Sequence, residues 1–148
     1  MRKLSLFILI ILSGKVFSQI SDIEVLGNAQ SYLNHTWTAT QENIWDNVSC
    51  GGKTVNTPFW VVPGNQTSVP YCWGGNSTLT DFDYYLSIDK SAGDDNTNVG
   101  YGAEPACAVG VDCSGFVSRC YGLSNHYSTS MINSNSIFGH HASYNDLR

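Results

Sequence analysis

The chain has 148 residues, enough for one domain, and 42% of them are hydrophobic, 12% aromatic and 13% charged. This composition supplies a packed core and excludes a disordered chain. The formal net charge is -5 and no basic run is present. The charge therefore argues against a protein that binds nucleic-acid phosphates.

Residues 1–18 have the features of a signal peptide. Arg2 and Lys3 form a short basic start, and the apolar run that follows, Leu4–Leu12, has about half the length that a membrane-spanning helix needs. We expect cleavage after Ser18. No cysteine stands at this position to carry a lipid, so we predict a secreted or periplasmic protein with no membrane anchor.

Residues 19–68 are expected to form a helical and loop subregion. Ser21 and Glu24 fit a capping box, and apolar residues follow at steps of three and four, which predicts a helix from about Asp22 to Asn34. Further on, Phe59–Val62 is an apolar run that stops at Pro63, which predicts a short buried strand.

A second helix is predicted from Thr80 with Asp83, another capping-box pair, and should end near Lys90 with Phe82 on its apolar face. The segment 91–110 reads as a long loop. Its Asp94, Asn96 and Asn98 alternate like the start of a calcium loop, but glycine and glutamate are missing from the positions that such a loop requires.

The sequence contains five cysteines, so in an oxidising compartment at least one thiol lacks an intrachain partner. Their spacing includes no C-x-x-C, and the histidines do not complete a zinc pattern, so we expect no metal. The economical interpretation is one reactive thiol, Cys113, and four structural cysteines with three possible pairings. These four are Cys50, Cys72, Cys107 and Cys120.

The segment Val111–Gly122 carries the chemistry. Apolar residues from Phe116 to Tyr121 repeat as one helical face, and Gly122 is suited to end the helix. Cys113 then lies in the first turn, where the helix dipole and unpaired amides favour a thiolate suited to nucleophilic acyl transfer. By spacing alone, Cys113 is equally well explained as half of a disulfide.

Two motifs favour the interpretation of Cys113 as a nucleophile. Asp112–Val117 (DCSGFV), preceded by Pro70–Gly75 (PYCWGG), resembles the paired signature of the NlpC-type cell-wall peptidases. The resemblance covers about residues 69–148. It implies a minimal papain-like α+β fold, in which the nucleophile helix packs on an antiparallel sheet.

The resemblance also implies the chemistry. Cys113 would be the nucleophile, and Asp112, Ser114 and Tyr71 would line the substrate subsites. The substrate would be a peptidoglycan stem peptide, cut between D-glutamate and the following diamino acid without a cofactor. Trp73 is expected to border the cleft, whereas the other tryptophans, Trp37, Trp45 and Trp60, are expected in the core.

In this family a histidine on a later strand acts as the base, after a turn that the end of this chain only begins to resemble. We therefore expect that residues 69–148 are the N-terminal part of the domain, with most of the sheet beyond residue 148. His140 and His141 are weaker candidates for the base. His35 and His126 are expected on the surface, because His126 follows the helix too closely to fold back.

Two further functions share this scaffold. The first is a catalytically inactive domain that binds muropeptides, and the second is an acyltransferase, in which an amine instead of water resolves the acyl-enzyme.

Overall fold

The computed structural model describes residues 20–97, 102 and 104–134. This part of the chain is α+β, with four α-helices and three two-stranded sheets. The predicted signal peptide, His140 and His141 lie outside the described residues. None of the described helices is long and apolar enough to cross a membrane.

Helix α1 (Asp22–Leu33) confirms the first predicted helix and its capping box. The Ser21 hydroxyl accepts a hydrogen bond from the Glu24 backbone N–H at 3.3 Å, and the Glu24 carboxylate accepts one from the Ser21 N–H at 2.8 Å. These reciprocal contacts satisfy two N–H groups that a helix start leaves unpaired.

Two antiparallel pairs of strands follow α1. In the first, Thr36 lies opposite Thr67, and in the second, Val48 lies opposite Val55. A 3-10 turn over Gln41–Asn43 separates the first two of these strands in the chain. The strands are β1 (Thr36–Ala39), β2 (Val48–Cys50), β3 (Lys53–Val55) and β4 (Gly64–Thr67), with β1 paired to β4 and β2 to β3.

The predicted strand over Phe59–Val62 is wrong, because this segment is a turn and loop between β3 and β4. The Val61 N–H donates to the Pro58 carbonyl at 2.9 Å, which closes a turn instead of extending the chain. Val61 is buried, but Phe59 is 86% exposed and Trp60 is 53% exposed. The expectation that Trp60 lies in the core is therefore also wrong.

Helix α2 (Leu79–Leu86) begins before the predicted cap and ends earlier than Lys90. The cap is Thr78, whose hydroxyl accepts a hydrogen bond from the Asp81 N–H at 3.0 Å. After the helix, Asp89 adopts a φ of 64°, which reverses the chain. The apolar face is as predicted, since Phe82 is fully buried.

The predicted loop 91–110 contains two short strands, β5 (Ser91–Ala92) and β6 (Ala108–Val109), which pair in parallel. Of the calcium-like residues, Asn98 lies outside the described residues, and Asp94 and Asn96 have a different role. One carboxylate oxygen of Asp94 accepts backbone hydrogen bonds from Asn56 and Asn96, each at 3.0 Å, and these hold a turn.

Two buried clusters form the core of the described residues. The larger joins β1, α2 and both parallel strands; its buried members are Trp37, Ala39, Val61, Phe82, Leu86, Ala92 and Val109. The smaller contains Val55, Cys72, Cys107 and Ala108, with Trp45 packed against it. Trp37 is therefore in the core as expected, whereas Trp45 is only partly buried at its edge.

The cysteines follow the prediction only in part. Cys50 and Cys107 form a disulfide, which is consistent with a secreted protein. Cys113 is unpaired and exposed, as expected. Cys72 and Cys120 are both buried free thiols, so the expectation of four structural half-cystines is wrong. Each of the two buried thiols packs as a small apolar side chain.

Candidate active site

The two sequence motifs lie side by side. The Cys72 N–H donates to the Val111 carbonyl at 3.1 Å, and the Val111 N–H donates to the Pro70 carbonyl at 3.2 Å. The Asp112 N–H then donates to the Gly75 carbonyl at 2.9 Å. Backbone hydrogen bonds therefore fix the position of the segment before the cysteine helix relative to the aromatic motif.

Glycines allow this close approach. A Cβ on Gly115 would lie 2.0 Å from the Gly75 carbonyl oxygen, and a Cβ on Gly75 would lie 2.7 Å from the Gly110 carbonyl oxygen. Real side chains do not approach backbone atoms this closely. The glycines of both motifs are therefore required for the two segments to dock.

Helix α3 (Cys113–Cys120) begins at the nucleophile candidate. The Asp112 carboxylate caps it by accepting the Gly115 N–H at 2.6 Å. The chain leaves the helix at Gly122, which has a φ of 66°. The first turn of a helix leaves N–H groups without an intrahelical acceptor, and here Cys113 and Ser114 contribute such groups.

The buried face of α3 agrees with the predicted apolar face only at Cys120. Ser114, Gly115 and Ser118 are buried, whereas Phe116 and Val117 are only half-buried. The docked Gly75 turn leaves no room for a side chain at Gly115. Phe116 packs elsewhere, edge to face against Tyr32 of α1, with ring centroids 5.9 Å apart. Among the described elements, α3 makes its main packing contact with α1 and not with a sheet.

A cavity of about 680 Å³ opens at the N-terminus of α3. Its lining includes every predicted site residue of the described part of the chain. These are Cys113, Asp112, Ser114, Tyr71 and Trp73. The rest of the wall consists of Gly74, Gly102, Glu104, His126 and residues 128–131, at the start of α4 (Thr129–Ser134).

His126 also lines the cavity, which contradicts the prediction that it is a surface residue. Its Nε2 lies 2.9 Å from the Ser114 hydroxyl and 3.3 Å from the Asp112 carboxylate. The prediction failed because the chain turns back directly after Gly122. His35 is likewise half-buried, and its Nε2 lies 2.7 Å from the Asp83 carboxylate, away from the cavity.

Glu104 is a wall residue that no sequence pattern predicts. Its carboxylate accepts hydrogen bonds from the Ser77 hydroxyl and the Asn76 N–H. Burial raises the pKa of Glu104 to about 7, against the lowering effect of these hydrogen bonds. Burial also raises the pKa of the Tyr71 hydroxyl, and the Asp112 charge adds to that shift. No motif marked Glu104, because only the folded loop brings it beside Asn76.

Within the described residues, no cluster of three His, Cys, Asp or Glu side chains is arranged to bind a metal ion. Comparison with protein-family models, with curated proteins and with solved structures finds no match for this chain.

The arrangement suits nucleophilic chemistry. An unpaired thiol lies at a helix N-terminus and lines a cavity. The first turn of a helix has backbone N–H groups that can stabilise a developing negative charge. A titratable imidazole and two carboxyl groups share the wall.

Proposed function

We propose that this protein is a secreted cysteine peptidase that hydrolyses an amide bond in peptidoglycan stem peptides. The position of Cys113 carries the proposal. This thiol is unpaired, exposed, placed at the first residue of α3 and directed to a cavity that both motif segments border. A structural half-cystine would need none of these features.

In the proposed reaction, the Cys113 thiolate attacks the amide carbonyl carbon and forms a C–S bond. The carbonyl oxygen becomes an oxyanion, which the N–H groups of the first helical turn stabilise. The C–N bond then breaks, the leaving amine takes up the proton that the base removed from the thiol, and a thioester remains. Water hydrolyses the thioester, which returns the thiol and releases a carboxylic acid.

The cavity suits the proposed substrate class. A volume of about 680 Å³ lies within the range of ligand pockets. The carboxyl groups of Asp112 and Glu104 favour a substrate with a free amine, such as the diamino acid of a stem peptide. Tyr71 and Trp73 supply aromatic walls for the peptide backbone.

The resemblance assigns the base to a histidine on a strand after the cysteine helix and implies a minimal papain-like fold. The α+β architecture and the cysteine at a helix N-terminus support that fold. The two weaker base candidates, His140 and His141, lie outside the described residues.

A muropeptide-binding domain without activity is the second candidate. One observation favours it: among the described residues, no imidazole is hydrogen-bonded to the Cys113 thiol. Such a domain would keep the cavity and its aromatic walls for recognition.

The test is incubation of the full-length secreted protein with purified muropeptides, followed by mass spectrometry of the products. We expect cleavage by the wild type and at least about a thousandfold loss of rate in Cys113→Ala. Cys120→Ala is the matched control, since this thiol is buried and does not line the cavity, and it should retain cleavage.

Muropeptide binding without turnover by the wild type would contradict the peptidase and support the binding domain. A product in which an added amine replaces water would identify an acyltransferase.

A further inference from the structure

His126 is the strongest unassigned feature of the cavity wall. It lies on the segment after α3, which is fastened to the helix on both sides of the histidine. The Arg119 guanidinium donates to the Ser124 carbonyl at 3.0 Å, and the Tyr127 N–H donates to the Ser118 hydroxyl at 3.0 Å. Two contacts therefore hold the backbone that carries His126 in place, independently of the hydrogen bonds of its imidazole.

The protons of the network can be assigned by counting. The Ser114 hydroxyl has one hydrogen, and it donates to the Asp112 carboxylate at 2.9 Å, which has no hydrogen to give. The same hydroxyl lies 2.9 Å from Nε2 of His126, so the imidazole must be the donor in that contact. Nε2 therefore carries a hydrogen, and in the neutral ring the free lone pair is on Nδ1.

The network ends at the residues that flank the nucleophile. Asp112 precedes Cys113 and caps its helix, and Ser114 follows it. The side chain of Asp112 is only 13% exposed and that of His126 is 29% exposed, so their interaction is partly shielded from water. A change of charge on the imidazole is thus felt next to the cysteine.

We propose that His126 is a positioning residue for Cys113: its Nε2–H orients Ser114 and Asp112 at the helix N-terminus, and its protonated form stabilises the neighbouring thiolate. The role deepens the proposed function, yet it concerns the reactivity of the thiol and does not require that a peptide is cleaved.

Charge determines the direction of the effect. With a neutral imidazole, Asp112 places an unbalanced negative charge beside Cys113, which opposes formation of the thiolate. When His126 gains a proton, the Asp112–His126 pair becomes neutral overall, and this opposition is removed. An imidazole changes its charge near neutral pH. The thiolate should therefore persist to lower pH than it would without the histidine.

Other charged groups also face this corner. Glu104 and the Tyr71 hydroxyl line the same cavity, and Arg119 holds the segment that carries the histidine. A guanidinium keeps its charge over the pH range of proteins, and burial raises the pKa of the Tyr71 hydroxyl, which favours its neutral form. As the pH falls through about 7, Glu104 loses its negative charge while an imidazole gains a positive one. A Glu104 variant is therefore needed to separate the effects of the two residues on the alkylation rate.

The experiment is the rate of iodoacetamide alkylation at Cys113 between pH 5 and pH 9, followed by peptide mass spectrometry so that Cys72 and Cys120 are counted separately. The variant is His126→Gln, whose amide still donates to Ser114 but does not titrate. Glu104→Gln and His35→Gln are measured beside it, and His35 is paired with Asp83 outside the cavity. Folding of each variant is checked by circular dichroism.

At pH 6 we expect the wild type to react roughly three to ten times faster than His126→Gln. At pH 9 the two rates should agree within about twofold, because imidazole side chains in general are neutral in alkaline solution. His35→Gln should follow the wild type, and Glu104→Gln should keep the difference that His126 makes. Equal rates at every pH would overturn the proposal, as would a uniform loss of rate in His126→Gln.

A second measurement uses only the wild type and so tests the proposal even if a variant does not fold. The ¹⁵N chemical shifts of the wild-type His126 ring report its tautomer, and we expect the hydrogen on Nε2 in the neutral form. A neutral ring protonated on Nδ1 would refute the proton assignment. If the alkylation result is as expected but muropeptides are not cleaved, the role of His126 stands and the peptidase proposal fails.

Discussion

The hairpin region, residues 36–67, and the cleft region, residues 70–76 with 111–120, are built in opposite ways. Strands β1 and β4 pair in a regular antiparallel register, yet the loop just before β4 leaves Phe59 and Trp60 largely exposed. In the cleft region the strand pairing is limited to isolated bridges beside helix α3, but its segments approach so closely that Gly75 and Gly115 have no space for a methyl group. Tight packing, rather than regular strand pairing, distinguishes the region that carries the candidate site.

The largest expected effect is in the cleft. Gly115→Ala would place a Cβ 2.0 Å from the Gly75 carbonyl oxygen, and backbone atoms must move to relieve it. We expect a loss of about 3 kcal/mol or more in the free energy of unfolding, together with loss of rapid alkylation at Cys113. Urea denaturation and thiol labelling measure both.

Gly27→Ala is the matched control, because Gly27 lies within α1 and a Cβ there would meet nothing within 4 Å. It should stabilise the protein by about 0.5–1 kcal/mol. Equal effects of the two substitutions would contradict the close docking of the motifs.

The next effect is a pH dependence of stability that belongs to the cleft. The pKa of Glu104 is raised from 4.5 to about 7 by burial, so between these values the unfolded chain is ionised while the folded protein keeps the proton. The contribution of Glu104 is therefore greatest below pH 4.5 and is lost as the pH rises to 7. The loss amounts to roughly 3 kcal/mol.

Glu104→Gln removes this titration. The difference in unfolding free energy between wild type and variant, measured from pH 4 to pH 8, should change by that amount across the window. A difference independent of pH would show that Glu104 is solvated and does not form part of the packed wall.

The smallest effect is expected in the hairpin region. Phe59→Ala should change the unfolding free energy by no more than about 0.5 kcal/mol, because the ring is 86% exposed. Phe82→Ala, at a fully buried ring, should cost about 3–5 kcal/mol in the same assay. A large loss from Phe59→Ala would indicate that this segment is the buried strand that its composition suggests.

Local chemistry explains what the sequence predicted. The capping box of Ser21 and Glu24 and the turn at Gly122 act over a few residues, so their patterns give helix α1 and the end of α3 directly. The apolar run at Phe59 predicted a buried strand because apolar residues favour burial. The prediction is wrong because Pro58 and Pro63 enclose a turn, and an exposed ring there costs the fold little.

The amino-acid sequence by itself determined the nucleophile candidate, its position at a helix start and the pair of motifs around it. Only the tertiary structure decided which side chains from outside the two motifs join Cys113 at the cavity. Glu104 and His126 carry no motif, and their places depend on a loop that closes on Asn76 and on a chain reversal after α3. Contacts between residues distant in the chain arise from packing and hydrogen bonds of the whole fold, and no short pattern records them.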